Sequence, residues 1–320
     1  MHHWGVAGPV DPCDTEPVQQ GMRPMKIATA AYPMDFLDTW SAYEDKLSAW
    51  VAEAAGQGAD LLVFPEYGAM ELATLAGRDT AGNLEKSLHA VSERVPEADA
   101  LHARLAVEHR VHILAASAPV FDPGLGDRPV NRARLFAPTG ERAVQDKQIM
   151  TRFEAEEWDV VPGGPLYVFD TRLGKIGVLI CYDAEFPMLA RALIEREAEL
   201  ILVPSCTEAM TGYSRVRIGA MARALEGQCV TVMASTVGDA DWSPAVDTNT
   251  GRGGIFGPPD TGFPDTGVIA EGRMNAPGWT YAEVDLAGLT RLRADGTVLN
   301  LRDWKAQVPR QSPVQTLRLG

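Results

Sequence analysis

Ile180-Cys181-Tyr182-Asp183-Ala184-Glu185-Phe186-Pro187 is the stretch on which the reading of this chain turns. The run that leads into it, Lys175-Ile176-Gly177-Val178-Leu179-Ile180, is apolar and has the character of a buried strand. Pro187 suits the first turn of a helix, where a missing N–H does no harm. The sequence therefore predicts a strand that delivers a thiol to its carboxyl end just before a helix begins. Open α/β sheets collect ligands at such switches, near backbone N–H groups that have no helical partner. A free cysteine is also among the most buried residue types, so the thiol alone does not identify a site.

Two more strand ends sharpen the reading. Asp60-Leu61-Leu62-Val63-Phe64-Pro65-Glu66 is an apolar strand that stops at a proline and then a carboxylate. Arg142-Ala143-Val144-Gln145-Asp146-Lys147 reads as a strand after the Pro138-Thr139-Gly140 turn, and it carries one of only six lysines in 320 residues.

On Phe64-Pro65-Glu66, Asp146-Lys147-Gln148 and Cys181-Tyr182-Asp183, the chain resembles the carbon–nitrogen hydrolase (nitrilase) superfamily from about Lys26 to Asp285. The resemblance implies a Glu66–Lys147–Cys181 catalytic set, with a second glutamate downstream of the lysine that orients it. Glu154 fits that place by spacing, and Glu157 is the other candidate; a solvated acidic face of Glu154, Glu156 and Glu157 is the plainer alternative. The implied chemistry is coherent. A thiol with an ordinary pKa near 8.5 is mostly protonated at neutral pH and needs a base. Glu66 can take that proton and later activate water against a thioester. Lys147 and the backbone N–H of Tyr182 can face the oxyanion of a tetrahedral intermediate.

The resemblance implies an amidase- or carbamoylase-like member, because Tyr-Asp follows the cysteine where true nitrilases usually carry Trp-Glu. The expected reaction is hydrolysis of a small carboxamide or N-carbamoyl compound by water, without a cofactor. A nitrilase with the same residues, or a catalytically idle binding member, are the alternatives, and the intact Glu66, Lys147 and Cys181 speak against the second. Candidate pocket residues are Tyr67, Phe153, Trp158, Thr207, Glu208 and Trp242, the last in the loop 238–251; each is equally readable as rim or core packing. Arg152 or Arg215 could meet a carboxylate. In Arg223-Ala224-Leu225-Glu226 a helix motif of the family is matched, with an ordinary i,i+3 ion pair as its alternative.

From Lys26 the chain alternates strand and helix signals. Helices are expected over 38–57, 83–92, 96–110, 187–196 and 213–226. Strands are expected over 26–32, 61–64, 111–121, 132–138, 167–170, 176–181, 200–204, 229–236, 253–256, 268–271 and 280–285, before a short helix from Leu286. Mixed βαβ units and hairpins give an α/β protein. The resemblance sharpens this to an α-β-β-α four-layer sandwich of two mixed β-sheets over 25–295. Residues 1–24, proline-rich and without periodicity, read as an extension that is not a secretion signal. Residues 296–320 read as a tail, which in relatives of this kind reaches across a dimer, so a homodimer or larger homo-oligomer is expected.

Composition excludes several classes. A net charge of −14 argues against nucleic acid or an anionic membrane surface as partner, since both reward Lys and Arg. No run of about 18 apolar residues is present, so no membrane span is expected. The four cysteines form no tight framework, and a thiol nucleophile needs reducing conditions, which points to the cytoplasm. All six histidines precede residue 113, none with the spacing of a zinc site, so no metal is expected.

Overall fold

The computed structural model describes residues 24–311 and 313–319. The expected extension over 1–24, Pro24 apart, lies outside the described residues.

The chain opens with β1 (Met25–Pro33), and Thr39 then caps α1 (Trp40–Gly56), its side chain accepting from Ala42 N at 3.2 Å. β2 (Leu61–Val63) lies parallel to β1 and leads to a 3-10 segment, Gly68–Ala76, then α2 (Arg78–Ala81) and α3 (Leu84–His109). β3 (His112–Val120), β4 (Val130–Phe136) and β5 (Arg142–Asp146) follow, with β4 antiparallel to both neighbours. After α4 (Arg152–Glu156) come the hairpin β6 (Val168–Thr171) and β7 (Gly174–Val178), and the 3-10 turn Cys181–Glu185. α5 (Pro187–Ile194), β8 (Leu200–Ser205), α6 (Met210–Gly227) and β9 (Val230–Asp239) continue the alternation. β10 (Thr248–Asn249), β11 (Gly254–Phe256), β12 (Val268–Glu271), β13 (Gly278–Val284), α7 (Leu286–Asp295) and α8 (Asn300–Asp303) complete it.

The strands run in the order β5-β4-β3-β2-β1-β9-β8-β7-β6, with β13 on β1, β11 and β10 on β9, and β12 on β11. β1 and β9 pair through Ala31–Ser235, Tyr32–Thr236 and Pro33–Val237. At that corner the two halves join, and they face one another across a shared core. Ile27, Leu61, Val63 and Leu114 from the first half lie in one cluster with Val178, Leu202 and Val232 from the second. The alternate side chains of β1–β3, such as Ala28, Leu62 and Ile113, pack outward on α1 and α3. α5 and α6 cover the outer face of the second half through Ala190, Leu193, Val216 and Ala220. The α-β-β-α four-layer sandwich is thus the fold, with its two sheets meeting along one edge.

The largest departure from the expected elements lies in the helices after β2. Helices over 83–92 and 96–110 are a single 26-residue helix, α3, with Pro96 inside it. An interior proline costs about 3 kcal/mol. Here the apolar face runs through it unbroken, from Leu88, Val91 and Val95 to Ala98, Leu101 and Leu105, all buried. Burying large side chains at about 1.5–3 kcal/mol each outweighs the one lost bond.

The expected tail begins with structure of its own. Gln228 donates from its side chain to Val298 O at 3.1 Å and accepts from Leu301 N at 3.0 Å. The Arg191 guanidinium lies 4.6 Å from the Trp304 ring centroid. Residues up to Trp304 are therefore laid against the same domain.

Candidate active site

Three chain segments converge at one end of the sandwich. β2 ends at Val63, and three residues later Glu66 emerges, 2% exposed. β5 ends at Asp146 and presents Lys147, 1% exposed, immediately after its last paired residue. β7 ends at Val178 and hands Cys181, 4% exposed, to the start of a 3-10 turn. Each functional group sits just past a strand end, where the rigid sheet fixes it and the ladder no longer claims its surroundings.

The ammonium of Lys147 joins two carboxylates. It donates to Glu66 Oε1 at 2.7 Å and to Glu154 Oε2 at 2.6 Å. Of the two candidate glutamates Glu154 is the one that meets Lys147, whereas Glu157 ends α4 and is exposed. Glu154 is held by a capping box, its Oε2 accepting from Thr151 N at 2.9 Å and from the Thr151 hydroxyl at 2.8 Å. Its Oε1 accepts from the Tyr67 hydroxyl at 2.7 Å. Asn131, fully buried on β4, donates from Nδ2 to Glu66 Oε1 at 2.9 Å and to Glu154 Oε1 at 3.4 Å. The other oxygen of Glu66 accepts from Cys206 N at 3.0 Å, and the Cys181 thiol, close enough to feel the Glu66 charge, hydrogen-bonds Cys206 O at 3.8 Å.

These contacts set the charges. Burial pushes the Glu66 carboxyl up to about 7, against the lowering pull of the Lys147 ammonium. Burial alone would push Lys147 down, but Glu154 and Glu66 overcome it and hold the ammonium well above the usual lysine range. Glu154 resists its own burial because Lys147, Thr151 and Tyr67 stabilise the carboxylate, and its pKa is lowered. The Cys181 thiol is pushed well up by burial and by the Glu66 charge. Its resting form is the thiol, and a base must remove its proton before it can attack.

The thiol, ammonium and both carboxylates line a cavity of about 380 Å³. Of the expected pocket residues, Tyr67, Phe153, Trp158, Thr207 and Glu208 line it too, as does Tyr182. Trp242 does not. It is 5% exposed and packs edge-on against Phe36 with ring centroids 6.1 Å apart. The same loop instead turns Pro244 to Thr248 toward the cavity. An indole that large gains more from a dry core than from a wet rim, which the loop's position in the sequence does not reveal. Arg215 lines the cavity, tied to Glu185 at 3.2 Å, while Arg152 pairs with Glu156 at 2.7 Å out on the surface. Arg223 makes the i,i+3 pair with Glu226 at 3.0 Å and also donates to Ala184 O at 3.3 Å, behind the Cys181 turn.

α6 crosses that turn closely. A Cβ on Gly219 would lie 2.8 Å from Ala184 O, so only glycine allows the helix this approach. Among the described residues no group of three or more His, Cys, Asp or Glu side chains is placed to hold a metal ion, and no helix is long and apolar enough to cross a membrane.

The carbon-nitrogen hydrolase family model matches residues 26–294. A probable hydrolase, YhcX, of Bacillus subtilis is 32% identical over 297 residues, covering 93% of this chain and 57% of that protein. A deaminated glutathione amidase of Yersinia enterocolitica is 34% identical over 145 residues, covering 42% of this chain and 50% of that one. The chain thus spans about half the length of each of these two relatives. Among solved structures, a variant amidase from Nesterenkonia sp. AN1, with the acetamide moiety of fluoroacetamide added at its active-site cysteine, superposes with a TM-score of 0.64. It is 22% identical, covering 92% of this chain and all of that one, so this likeness speaks for the fold.

Proposed function

The chain belongs to the carbon–nitrogen hydrolase family, and from that premise we propose that it cleaves the C–N bond of a small carboxamide or N-carbamoyl compound through a thioester on Cys181. The observation that carries this reading is the Lys147 ammonium lodged between Glu66 and Glu154, with the Cys181 thiol against Glu66 at a cavity wall.

In this mechanism Glu66 takes the thiol proton as sulfur forms its bond to the carbonyl carbon. The carbonyl π electrons move to oxygen, and the oxyanion is met by the Lys147 ammonium and the Tyr182 N–H. Removing one such donor typically lowers turnover about 10²–10³-fold. As the C–N bond breaks, Glu66 returns its proton to the leaving nitrogen, which departs as ammonia or an amine. Water then enters, gives a proton to Glu66 and attacks the thioester, releasing the acid and the thiol. A carboxyl near pKa 7 suits a group that must accept and return a proton twice per turnover. Glu154, kept ionised, holds Lys147 in place and does not titrate with it.

The printed descriptions of the relatives, a deaminated glutathione amidase and an amidase carrying an acetamide adduct on its cysteine, support the amide reading over the nitrile one. A thiol nucleophile that must stay reduced supports a cytoplasmic home. The exposed Met188 and Ile218, on α5 and α6, support self-association, to which the tail 296–320 would contribute.

Ammonia release from a panel of short amides, N-carbamoyl compounds and the matching nitriles tests the proposal. Turnover is expected on amides or carbamoyl compounds. Turnover confined to nitriles, or none at all by folded protein, would overturn it.

A further inference from the structure

Asp183, two residues after the nucleophile, is buried to 1% exposure and takes no part in the steps above. It carries the last letter of the Cys-Tyr-Asp motif, yet no proton passes through it. Its carboxylate accepts backbone N–H groups from two separate segments. Oδ1 accepts from Ile149 N at 2.8 Å and Gln148 N at 3.1 Å, both just after Lys147. Oδ2 accepts from Ile180 N at 3.1 Å, just before Cys181, and from Gln148 N at 3.2 Å. One carboxylate therefore clasps the turn that carries the ammonium to the turn that carries the thiol.

The clasped turn needs holding. Cys181 has φ of 50°, in the left-handed region, where a residue with a Cβ is strained by about 1–3 kcal/mol unless its surroundings fix it. The bond from Ile180 N to Asp183 closes around Cys181 from both sides. α6 supports it from behind at Gly219.

We infer that Asp183 is a positioning residue whose carboxylate sets the distance and angle between the Cys181 sulfur and the Lys147 ammonium, and so assembles the oxyanion site. This rests on the hydrolase reading above and deepens it. Asparagine at this place cannot do the work. With its Oδ1 toward Ile149 N its NH2 meets the Ile180 N–H, and when flipped it meets the Gln148 and Ile149 N–H groups instead. Donor faces donor either way, and the clasp opens on one side.

The role separates two reactions of the same thiol. Alkylation by iodoacetamide displaces iodide, forms an S–C bond and develops no oxyanion. An aldehyde analogue of the substrate adds the sulfur to its carbonyl, with the thiol proton passing to Glu66, and the resulting thiohemiacetal oxyanion needs the Lys147 site.

Asp183→Asn is therefore expected to lower kcat by about 10²-fold with KM within about threefold, because the loss falls on the transition state. Aldehyde affinity should fall by a similar factor, while the rate of Cys181 alkylation stays within about threefold of the parent. A purely structural carboxylate would instead lower alkylation and aldehyde binding together, or neither, and either result would overturn the inference. Asp183→Ser severs the same clasp with room for water, and the same split is expected of it should the amide variant not fold. Wild-type protein that neither hydrolyses amides nor binds the aldehyde would overturn the hydrolase reading and this inference with it. Equal losses in the variants of an active enzyme would overturn this inference alone.

Discussion

Glu66 and Glu71 lie on either side of the turn at Tyr67 and have similar surroundings. Both are buried, and each accepts from a lysine ammonium, Lys147 at 2.7 Å and Lys46 at 2.5 Å. Burial pushes both up, Glu66 to about 7 and Glu71 to about 6. Yet Glu71 is spent. It also accepts from the Tyr32 hydroxyl at 3.0 Å and from Asp35 N at 2.6 Å, while Lys46 donates to Pro33 O at 2.8 Å. That cluster pins the segment after β1, and among the described residues none of its hydrogen-bond partners is a thiol. Glu66 shares a cavity wall with the Cys181 thiol. A buried ion pair with a raised carboxyl is thus a common structural device, and access to a reacting atom is what turns one into a site.

The sharpest way to break the comparison is to remove each lysine. Lys147→Met should lower turnover by about 10²–10³-fold through loss of the oxyanion partner. It should also lower stability by up to about 3–5 kcal/mol, because Glu66 and Glu154 are left buried without a cation. Steady-state kinetics beside a thermal melt measures both losses. Normal turnover in the folded variant would remove Lys147 from the chemistry.

A pH series separates activity from folding. Below about pH 7, kcat/KM should fall by roughly tenfold per unit as Glu66 takes up a proton and ceases to be a base. Its folded pKa lies above the ordinary 4.5, so the native state binds this proton more readily than the unfolded chain. The contribution of Glu66 to stability is therefore full at the acid end and is lost as pH rises through about 7. Activity should decline between pH 7 and 5.5 while the protein stays folded. A flat activity profile over that range would sever Glu66 from the proton transfers.

The smallest effect on chemistry belongs to the other lysine. Lys46→Met should also destabilise, by up to about 3–5 kcal/mol, yet leave the turnover of folded enzyme within about twofold. A loss of turnover as deep as that of Lys147→Met would mean that the two clusters are not distinct in kind.

Much of this was legible in the chain because strand ends leave a plain signal, an apolar run that stops at a polar residue. Glu66, Lys147 and Cys181 all sit at such stops, and Glu154 lies at the N3 position of a capping box with Thr151. Asn131 gives no comparable sign: it is a polar residue within a strand, and its role depends on which neighbours the fold brings to it. The same holds for the hydroxyl of Tyr67, 87 residues from the carboxylate it meets. Trp242 lies outside the cavity, and this is not legible for the related reason that a loop's position along the chain does not say which of its side chains turns inward. The local preference of Pro96 for a helix start is overridden by the long apolar face of α3.

The central claim is a covalent acyl group on Cys181. Mixing the enzyme with an accepted amide, quenching in acid within the first turnovers and mapping peptides by mass tests it most directly. The account predicts an added acyl mass on the Cys181 peptide that hydroxylamine removes, and neither adduct nor turnover in Cys181→Ala. Turnover by Cys181→Ala, or an acyl group found instead on Cys206 or Cys229, would contradict it.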